Sequence, residues 1–459
     1  MYNKLIMTPL EWILISLALI LLTGFITFAI VSLTEGHRRA AMRSAFMAAL
    51  SGLLLSAALF APPLAQTVLL AVIGAGLLVS LILLLWPGGR DAAPSPSPDF
   101  QVDERTVVFA RNDLRPGTPE FNAYYAAHPE HLARDNAFRA NPGLMTPGAS
   151  FYDDLLVASP ESSFFVDHAL AIIVDGPVAS EKVTRNPETL TRFVKRLAPY
   201  HGALDVGICE LQPYHVYSHV GRGEGDYGAP IPLDHRYAIA FTVEMTHAMV
   251  NAGPRMPTLM ESARQYVEVG RIAVTLAAAI RRLGYPARAH IEGDYQVIAP
   301  LVAKDAGLGE IGRMSLLMTP RLGPRVRLGV VTTDLPLLTD AAAFDPAMID
   351  FCTRCRKCAE VCPSGAIPSG DREWQEDGTL RWKLNPERCF TYWTQAGTDC
   401  ARCMAVCPYA HADNFFHNLI RFGVNHSGNF RKAAVRLDDA FYGKKPPPHD
   451  PPGWLQDLS

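Results

Sequence analysis

FCTRCRKCAEVCP (351–363) and CFTYWTQAGTDCARCMAVCP (389–408) hold eight of the nine cysteines of the 459-residue chain. The spacing is Cys352-x2-Cys355-x2-Cys358-x3-Cys362-Pro363, then Cys389-x10-Cys400-x2-Cys403-x3-Cys407-Pro408. In runs of this kind three closely spaced thiolates hold one 4Fe–4S cube and the fourth cysteine reaches across to the other. Two runs therefore predict two cubes. Cys352, Cys355, Cys358 and Cys407 are expected on one, and Cys362, Cys389, Cys400 and Cys403 on the other. The ten-residue gap after Cys389 departs from the regular run, so this ligand is the least regular of the eight. Structural zinc would close one tetrahedron with two cysteine pairs, whereas four ligands per run and two Cys-Pro endings suit cubes. A chain built around this stretch moves electrons.

Working outward, the chain is too long for one core, and its 49 % hydrophobic content is unevenly spread. Trp12 to Leu33 is uncharged throughout, long enough to cross a hydrocarbon core that needs about 20 helical residues. Ser44–Ala61 and Thr67–Trp86 repeat the pattern around a turn at Pro62-Pro63. Three transmembrane helices are expected within 1–87. The first run exceeds the roughly 7–15 residues of a signal-peptide core. The loop after it carries His37, Arg38, Arg39 and Arg43, while Pro62–Gln66 carries no charge, which places the basic loop in the cytoplasm. Counting spans, everything after Trp86 is then cytoplasmic, and the protein is a multi-pass protein of the inner membrane. Residues 88–99, rich in Ala, Pro and Ser, read as a linker. A net charge of −3 offers no field suited to nucleic acid.

Between 100 and 345 an α+β core is expected, preceded to about Ser150 by a wrapping segment whose prolines forbid long helices. Leu170–Val174, Leu204–Cys209, Tyr237–Val243 and Arg325–Thr332 read as strands, and Asn186–Leu197 as a helix. Pro257–Leu283, opened by proline and closed by Gly284, is the longest helix outside the membrane. Gly307, Gly309 and Gly312 satisfy G-x-G-x-x-G, but Pro300–Ala306 before them reads as a helical turn, which argues against a dinucleotide site. A cluster domain at 346–420 and an extended tail at 421–459, ending in KKPPPHDPPGW, complete the chain.

RYAIAFTVEM (236–245), RQYVEVGRIAVTLAAAIRRLGYPA (264–287), LVAKDAGLGEIGRMSLLMTPRLGPRVRLGVVTTDLPL (301–337) and FCTRCRKCAEVCPSGAI (351–367) together resemble the corrinoid-dependent reductive dehalogenases. The resemblance runs from about Phe109 to Cys407, with a more distant similarity to epoxyqueuosine reductase. It implies a nitroreductase-like cobalamin-binding α/β domain followed by a dicluster ferredoxin-like domain. The implied reaction is replacement of carbon–halogen by carbon–hydrogen in an organohalide, with cobalamin and two 4Fe–4S clusters as cofactors. The electron donor, whether quinol, ferredoxin or flavodoxin, is not written in the sequence. No Asp-x-His-x-x-Gly occurs, in keeping with a corrinoid that takes no histidine from the protein.

By the same resemblance the glycine loop, Gly307, Gly309 and Gly312, lines the corrinoid. The family's proton-donating tyrosine falls at Tyr266, eighteen residues before Gly284, although a tyrosine on this small-residue helix face is also a natural core residue. Arg327 takes the place of its partner arginine; Arg325, two residues earlier and on the same strand face if the segment is extended, is the alternative partner and is expected to bind the corrinoid. A third polar residue falls at Glu292 counted from Gly284, or at Asp294 counted back from Ala306; ionised, either would raise the tyrosine pKa. Two other readings remain: an epoxyqueuosine-reductase-like cobalamin enzyme, and a non-catalytic membrane-bound iron–sulfur electron carrier. Cys209 reads as a small buried hydrophobe.

Overall fold

The computed structural model describes residues 7–86, 92–342, 344–456 and 458, so residues 88–91 of the expected linker lie outside it. Two compact units emerge. One comprises 1–91 and 412–446, the other 92–411 and 447–459.

The first unit holds three long apolar helices, Pro9–Thr34, Arg38–Ala58 and Pro63–Leu85, each long and apolar enough to cross a membrane. Thr8 and Glu11 form a capping box ahead of Pro9, and Pro63 opens the third helix, as expected of a residue whose missing N–H costs nothing at a helix start. Small buried residues on the second helix, Ala40, Ala41, Ser44 and Ala48, permit its approach to the first, where the Ser44 hydroxyl donates to the Phe25 carbonyl at 2.8 Å. Only Gln66 is buried on the third helix, so most of its apolar surface faces outward.

The expected extended tail is corrected here, because Phe415–His426 and Gly428–Phe441 are helices. Asn414 and Ser427 cap them by accepting from the His417 and Phe430 N–H groups. No proline occurs from Tyr409 to Lys445, and the proline-rich end that suggested an extended chain begins only at Pro446.

In the second unit, strands Val206–Glu210, Tyr237–Glu244, Val326–Thr333 and Ala287–His290 pair in that order, all antiparallel. Side chains of the second strand alternate between two cores. Ile239, Phe241 and Val243 meet Ile272, Leu276 and Ile280 of the long helix Met256–Arg282, while Ala238 and Ala240 meet Val302 and Ala303 of the helix Ala299–Asp305. The sheet is thus covered on both faces, which makes the fold α+β with α/β layering. Gly284 ends the long helix at φ 85°, where a Cβ would strike the Glu181 carbonyl at 2.4 Å.

One expected strand fails. Leu170 closes the helix Ala158–Leu170, and Ala171–Ile173 forms a 3-10 turn with Ile172 81 % exposed. A five-residue apolar run cannot by periodicity alone distinguish strand from helix end. Only Val174 enters the core, its carbonyl accepting from the Ala289 N–H at 2.9 Å.

The wrapping segment forms short helices, Val108–Asp113, Pro119–Ala127 and Pro129–Arg139; the first and third pack on the helix Pro386–Ala396, which carries Cys389, and the second packs on the third. Buried Arg111 joins them, 3.0 Å from Asp135 and 2.8 Å from Glu387. Residues 92–99 are pinned to the hairpin Glu373–Trp374/Leu380–Arg381 through Ser95, which accepts from the Leu380 N–H at 2.9 Å. Arg111→Leu should leave Asp135 uncompensated and lower stability by about 3–5 kcal/mol. A thermal melt that matched the parent would remove Arg111 from this role.

Candidate active site

A cavity of about 450 Å³ lies in the second unit, between the start of the strand Val326–Thr333, the long helix and the cysteine segment. Its walls are mainly apolar and aromatic, with Phe109, Tyr217, Tyr295 and Trp393 among them. Tyr266 enters from the long helix and Arg327 from the strand, and the guanidinium carbon stands 4.7 Å from the tyrosine ring centroid. Asp399 steadies the arginine, its Oδ2 lying 3.1 Å from Nη2. The Ser262 hydroxyl bridges the same pair, donating to Asp399 and accepting from Arg327.

Burial pushes Tyr266 up to about 12; Arg327 pulls it down, Glu292 and Asp399 add to the rise, and Arg222 opposes them. The cation therefore acts in the expected direction, but loss of solvent outweighs it, and the phenol keeps its proton at neutral pH. Arg327 itself is held charged, since Tyr266, Asp399 and Glu292 together overcome the cost of burial. Burial raises Asp399 as well, against Arg327 and Ser262.

Of the two carboxylates counted from the sequence, Glu292 reaches the cavity and Asp294 does not. Asp294 turns back to Arg288 at 2.8 Å, because Ile291 and Asp294 pair their backbones across a tight turn at Gly293. Glu292 meets Arg222 at 3.3 Å, and the same arginine approaches the Tyr295 hydroxyl at 3.4 Å and Asp113 at 3.1 Å. The sequence reading missed this Arg222 network, since Arg222 sits in a Gly-rich loop without periodicity.

The glycine loop is not among the cavity walls; its neighbours Met314, Leu316 and Leu317 are. A Cβ on Gly309 would strike the Met318 carbonyl at 2.2 Å, and one on Gly312 the Met318 side chain at 2.6 Å. Packing against the strand Leu317–Met318 explains these glycines. Helix Ala299–Asp305 precedes them, as a dinucleotide loop would not allow. Arg325 is likewise turned away, buried against Glu244 at 2.6 Å and the Ala410 carbonyl at 2.9 Å. The strand begins at Val326, so Arg325 does not share a strand face with Arg327.

Cys362, Cys389, Cys400 and Cys403, the four expected on one cube, all line the cavity. All nine cysteines are free of disulfides. Burial drives the Cys407 thiol well above its ordinary range, and Cys352, Cys355 and Cys358 are the neighbouring thiols that add to it. Around Cys403 the corresponding thiols are Cys400, Cys389, Cys358 and Cys362. Two sets of four soft donors, sequestered from water, fit two cubes. Helix Pro386–Ala396 fills the irregular gap, carrying Cys389 together with Phe390, Tyr392 and Trp393 to the cavity. Cys209 is buried elsewhere, its thiol pushed up to about 12 by burial.

Comparison with known proteins agrees with this architecture. The 4Fe-4S dicluster domain family matches residues 351–411. Tetrachloroethene reductive dehalogenase of Sulfurospirillum multivorans is 30% identical over 57% of this chain and 58% of its own length. That of Desulfitobacterium hafniense is 30% identical over 45% and 38%. A solved reductive dehalogenase, titled as suggesting a mechanism for B12-dependent dehalogenation, superposes at TM-score 0.63 and 25% identity over 78% of this chain and 49% of its own. Over these stretches the chain is similar to the reductive dehalogenases. It spans between 38% and 58% of these proteins' lengths. Epoxyqueuosine reductase of Listeria monocytogenes is 31% identical over 25% of the chain.

As in a two-cluster protein, about eight iron and eight acid-labile sulfide per chain are expected. Cys389→Ala should disturb only the cube at the cavity, and unchanged iron and cluster spectra would assign that position to another residue. Gly309→Ala should destabilise by about 1–3 kcal/mol through overpacking. Folded Gly309→Ala that had instead lost a bound cofactor would return the glycine loop to the cavity.

Proposed function

We propose that this protein is a membrane-tethered reductive dehalogenase, which replaces carbon–halogen by carbon–hydrogen in an organohalide with a corrinoid seated in the cavity. The supporting observation is that one cavity gathers a protonated Tyr266, its stacked Arg327, and four of the eight cluster cysteines. Histidine chemistry fits too. His290 is the one histidine of the cavity wall among the described residues, and both its nitrogens are engaged, by the Thr332 hydroxyl at 3.0 Å and the Gln296 N–H at 3.2 Å. A corrinoid held there would find both nitrogens of this histidine already engaged.

The reaction consumes two electrons and one proton and releases halide. When bound, a corrinoid would supply low-valent cobalt chemistry toward the carbon–halogen bond, with the two cubes as its source of electrons. The chain's own residues handle the proton. Tyr266 presents its hydroxyl hydrogen to the carbon losing halide, and Arg327, fixed by Asp399 and Ser262, stabilises the phenolate left behind. Glu292, neutralised by Arg222, closes the polar end of the cavity. The aromatic walls exclude water that would otherwise compete for the proton.

The three apolar helices are proposed to span the membrane, with Trp12 and Trp86 exposed at opposite ends, where indole rings favour the interface. Arg38, Arg39 and Arg43 mark the cytoplasmic end. The chain runs between the C-terminal helices and the catalytic unit without another apolar span, so that unit is assigned to the cytoplasmic side.

Cobalt analysis of anaerobically purified protein tests the corrinoid, and its absence would leave an electron carrier. Tyr266→Phe should retain cobalt and both clusters yet lose ~10²–10⁴-fold in dehalogenation rate. Parent-like turnover by that variant would remove Tyr266 as donor. Arg327→Lys, which keeps the charge, should be less impaired than Arg327→Met. Since burial raises Tyr266 to about 12, the donor stays loaded as pH climbs through the ordinary tyrosine value of about 10. A rate that fell with an apparent pKa near 10 in wild type, and not in Tyr266→Phe, would contradict this.

A further inference from the structure

The first C-terminal helix buries polar side chains and exposes an apolar stripe. On Phe415–His426 the side chains turned into the first unit include His417 and Arg421, with Gly423 and Val424. His417 Nε2 lies 3.1 Å from Glu35 Oε2, and Asn414 donates to the other oxygen of the same carboxylate. The outward side carries Phe415, Leu419 and Phe422, which are 74 %, 44 % and 43 % exposed, flanked by the exposed polar residues Asn418, Asn425 and His426. Positions i, i+4 and i+7 form one stripe along a helix. A helix facing water places its apolar stripe inward; this one does the reverse.

That stripe adjoins the apolar surface of the long helices. Gly423 lies so close to the third helix that a Cβ would meet Leu84 Cδ1 at 2.4 Å. Phe28 of the first helix packs on Phe416 and Phe441, at centroid separations of 5.1 and 5.5 Å. Arg43, at the start of the second, donates to the Ala440 carbonyl. All these contacts fall at the end of the helix bundle that carries Glu35, the three arginines and Trp86. Leu85 and Trp86 there are themselves 49 % and 62 % exposed. Within the two C-terminal helices the exposed charged residues are Lys432 and Arg436, both cationic.

We infer that residues 415–441 form an interfacial membrane anchor. The Phe415–Leu419–Phe422 stripe lies in the cytoplasmic headgroup–acyl boundary, and Lys432 and Arg436 face anionic headgroups. Apolar area at that depth with flanking cations is the chemistry that holds an amphipathic helix in an interface. The inference rests on the membrane-spanning reading of the three long helices and adds a fourth, non-spanning contact to it. The buried Glu35–His417–Asn414 cluster locks the hairpin to the spans. The chain enters and leaves the catalytic unit through this hairpin, at 411–412 and 446–447, as well as through 87–91.

The test uses full-length protein in liposomes containing anionic lipid, with a nitroxide attached at one introduced cysteine. Leu419→Cys and Phe422→Cys report the stripe, Val72→Cys the middle of the third helix, and Glu188→Cys an aqueous reference. Collision rates with dissolved oxygen and with a water-soluble nickel chelate are compared at each site. The expected result is an oxygen-to-nickel ratio at Leu419 and Phe422 several-fold above that at Glu188 and below that at Val72. A ratio matching Glu188 at both stripe positions, with Val72 still lipid-like, would overturn the interfacial anchor alone. Nitroxides shielded from both reagents would also overturn it, in favour of a protein covering the stripe. An aqueous ratio at Val72 would overturn the span reading, and the anchor with it.

Discussion

Arg327 is the buried charge around which the cavity is arranged. Its guanidinium stands over the Tyr266 ring and is tied to Asp399, so a strand, the long helix and the second cysteine run meet at one ion. A buried cation needs such compensation, because leaving it unpaired costs several kcal/mol. The phenol, the carboxylate and Cys400, next in sequence to Asp399 and expected on a cube, are thereby held close together. The proposed proton donor and the proposed cluster ligands are positioned by the same few side chains.

This explains why the irregular spacing after Cys389 belongs to the function of the segment. A regular short run would bring the thiolates together but leave no room for a helix. Here the inserted residues form Pro386–Ala396, whose Phe390, Tyr392 and Trp393 build one wall while Arg111 binds its first turn through Glu387. The wrapping helices therefore support the cluster segment as much as the sheet.

A second constraint acts at the first unit, where two helices that follow the cluster segment return to the apolar bundle. Their polar contacts, Glu35 with His417 and Asn414, are directed inward, while Phe415, Leu419 and Phe422 are directed outward. Burying ionisable groups inside and leaving rings outside is reasonable only where the surroundings are lipid, which connects the sequence of this hairpin to the medium proposed for the long helices.

The sequence by itself determined whatever depends on spacing along one chain. Eight thiols in two runs, three apolar stretches of spanning length, the long helix between Pro257 and Gly284, and the place of Tyr266 on it were all legible, because each is a periodicity or a local count. The resemblance to reductive dehalogenases added Arg327 at the correct strand. Only the tertiary structure decided between neighbours two residues apart. Glu292 faces the cavity and Asp294 turns to Arg288, since a tight turn reverses the chain between them; Arg327 enters and Arg325 does not, since the strand begins between them. The glycine loop proved to be a packing device, a distinction that rests on which backbone lies opposite and that no motif can carry. The Arg222 network and the inside-out hairpin were illegible for the same reason: both join residues about seventy or more positions apart, and their meaning lies in which side of a helix or loop the fold leaves uncovered.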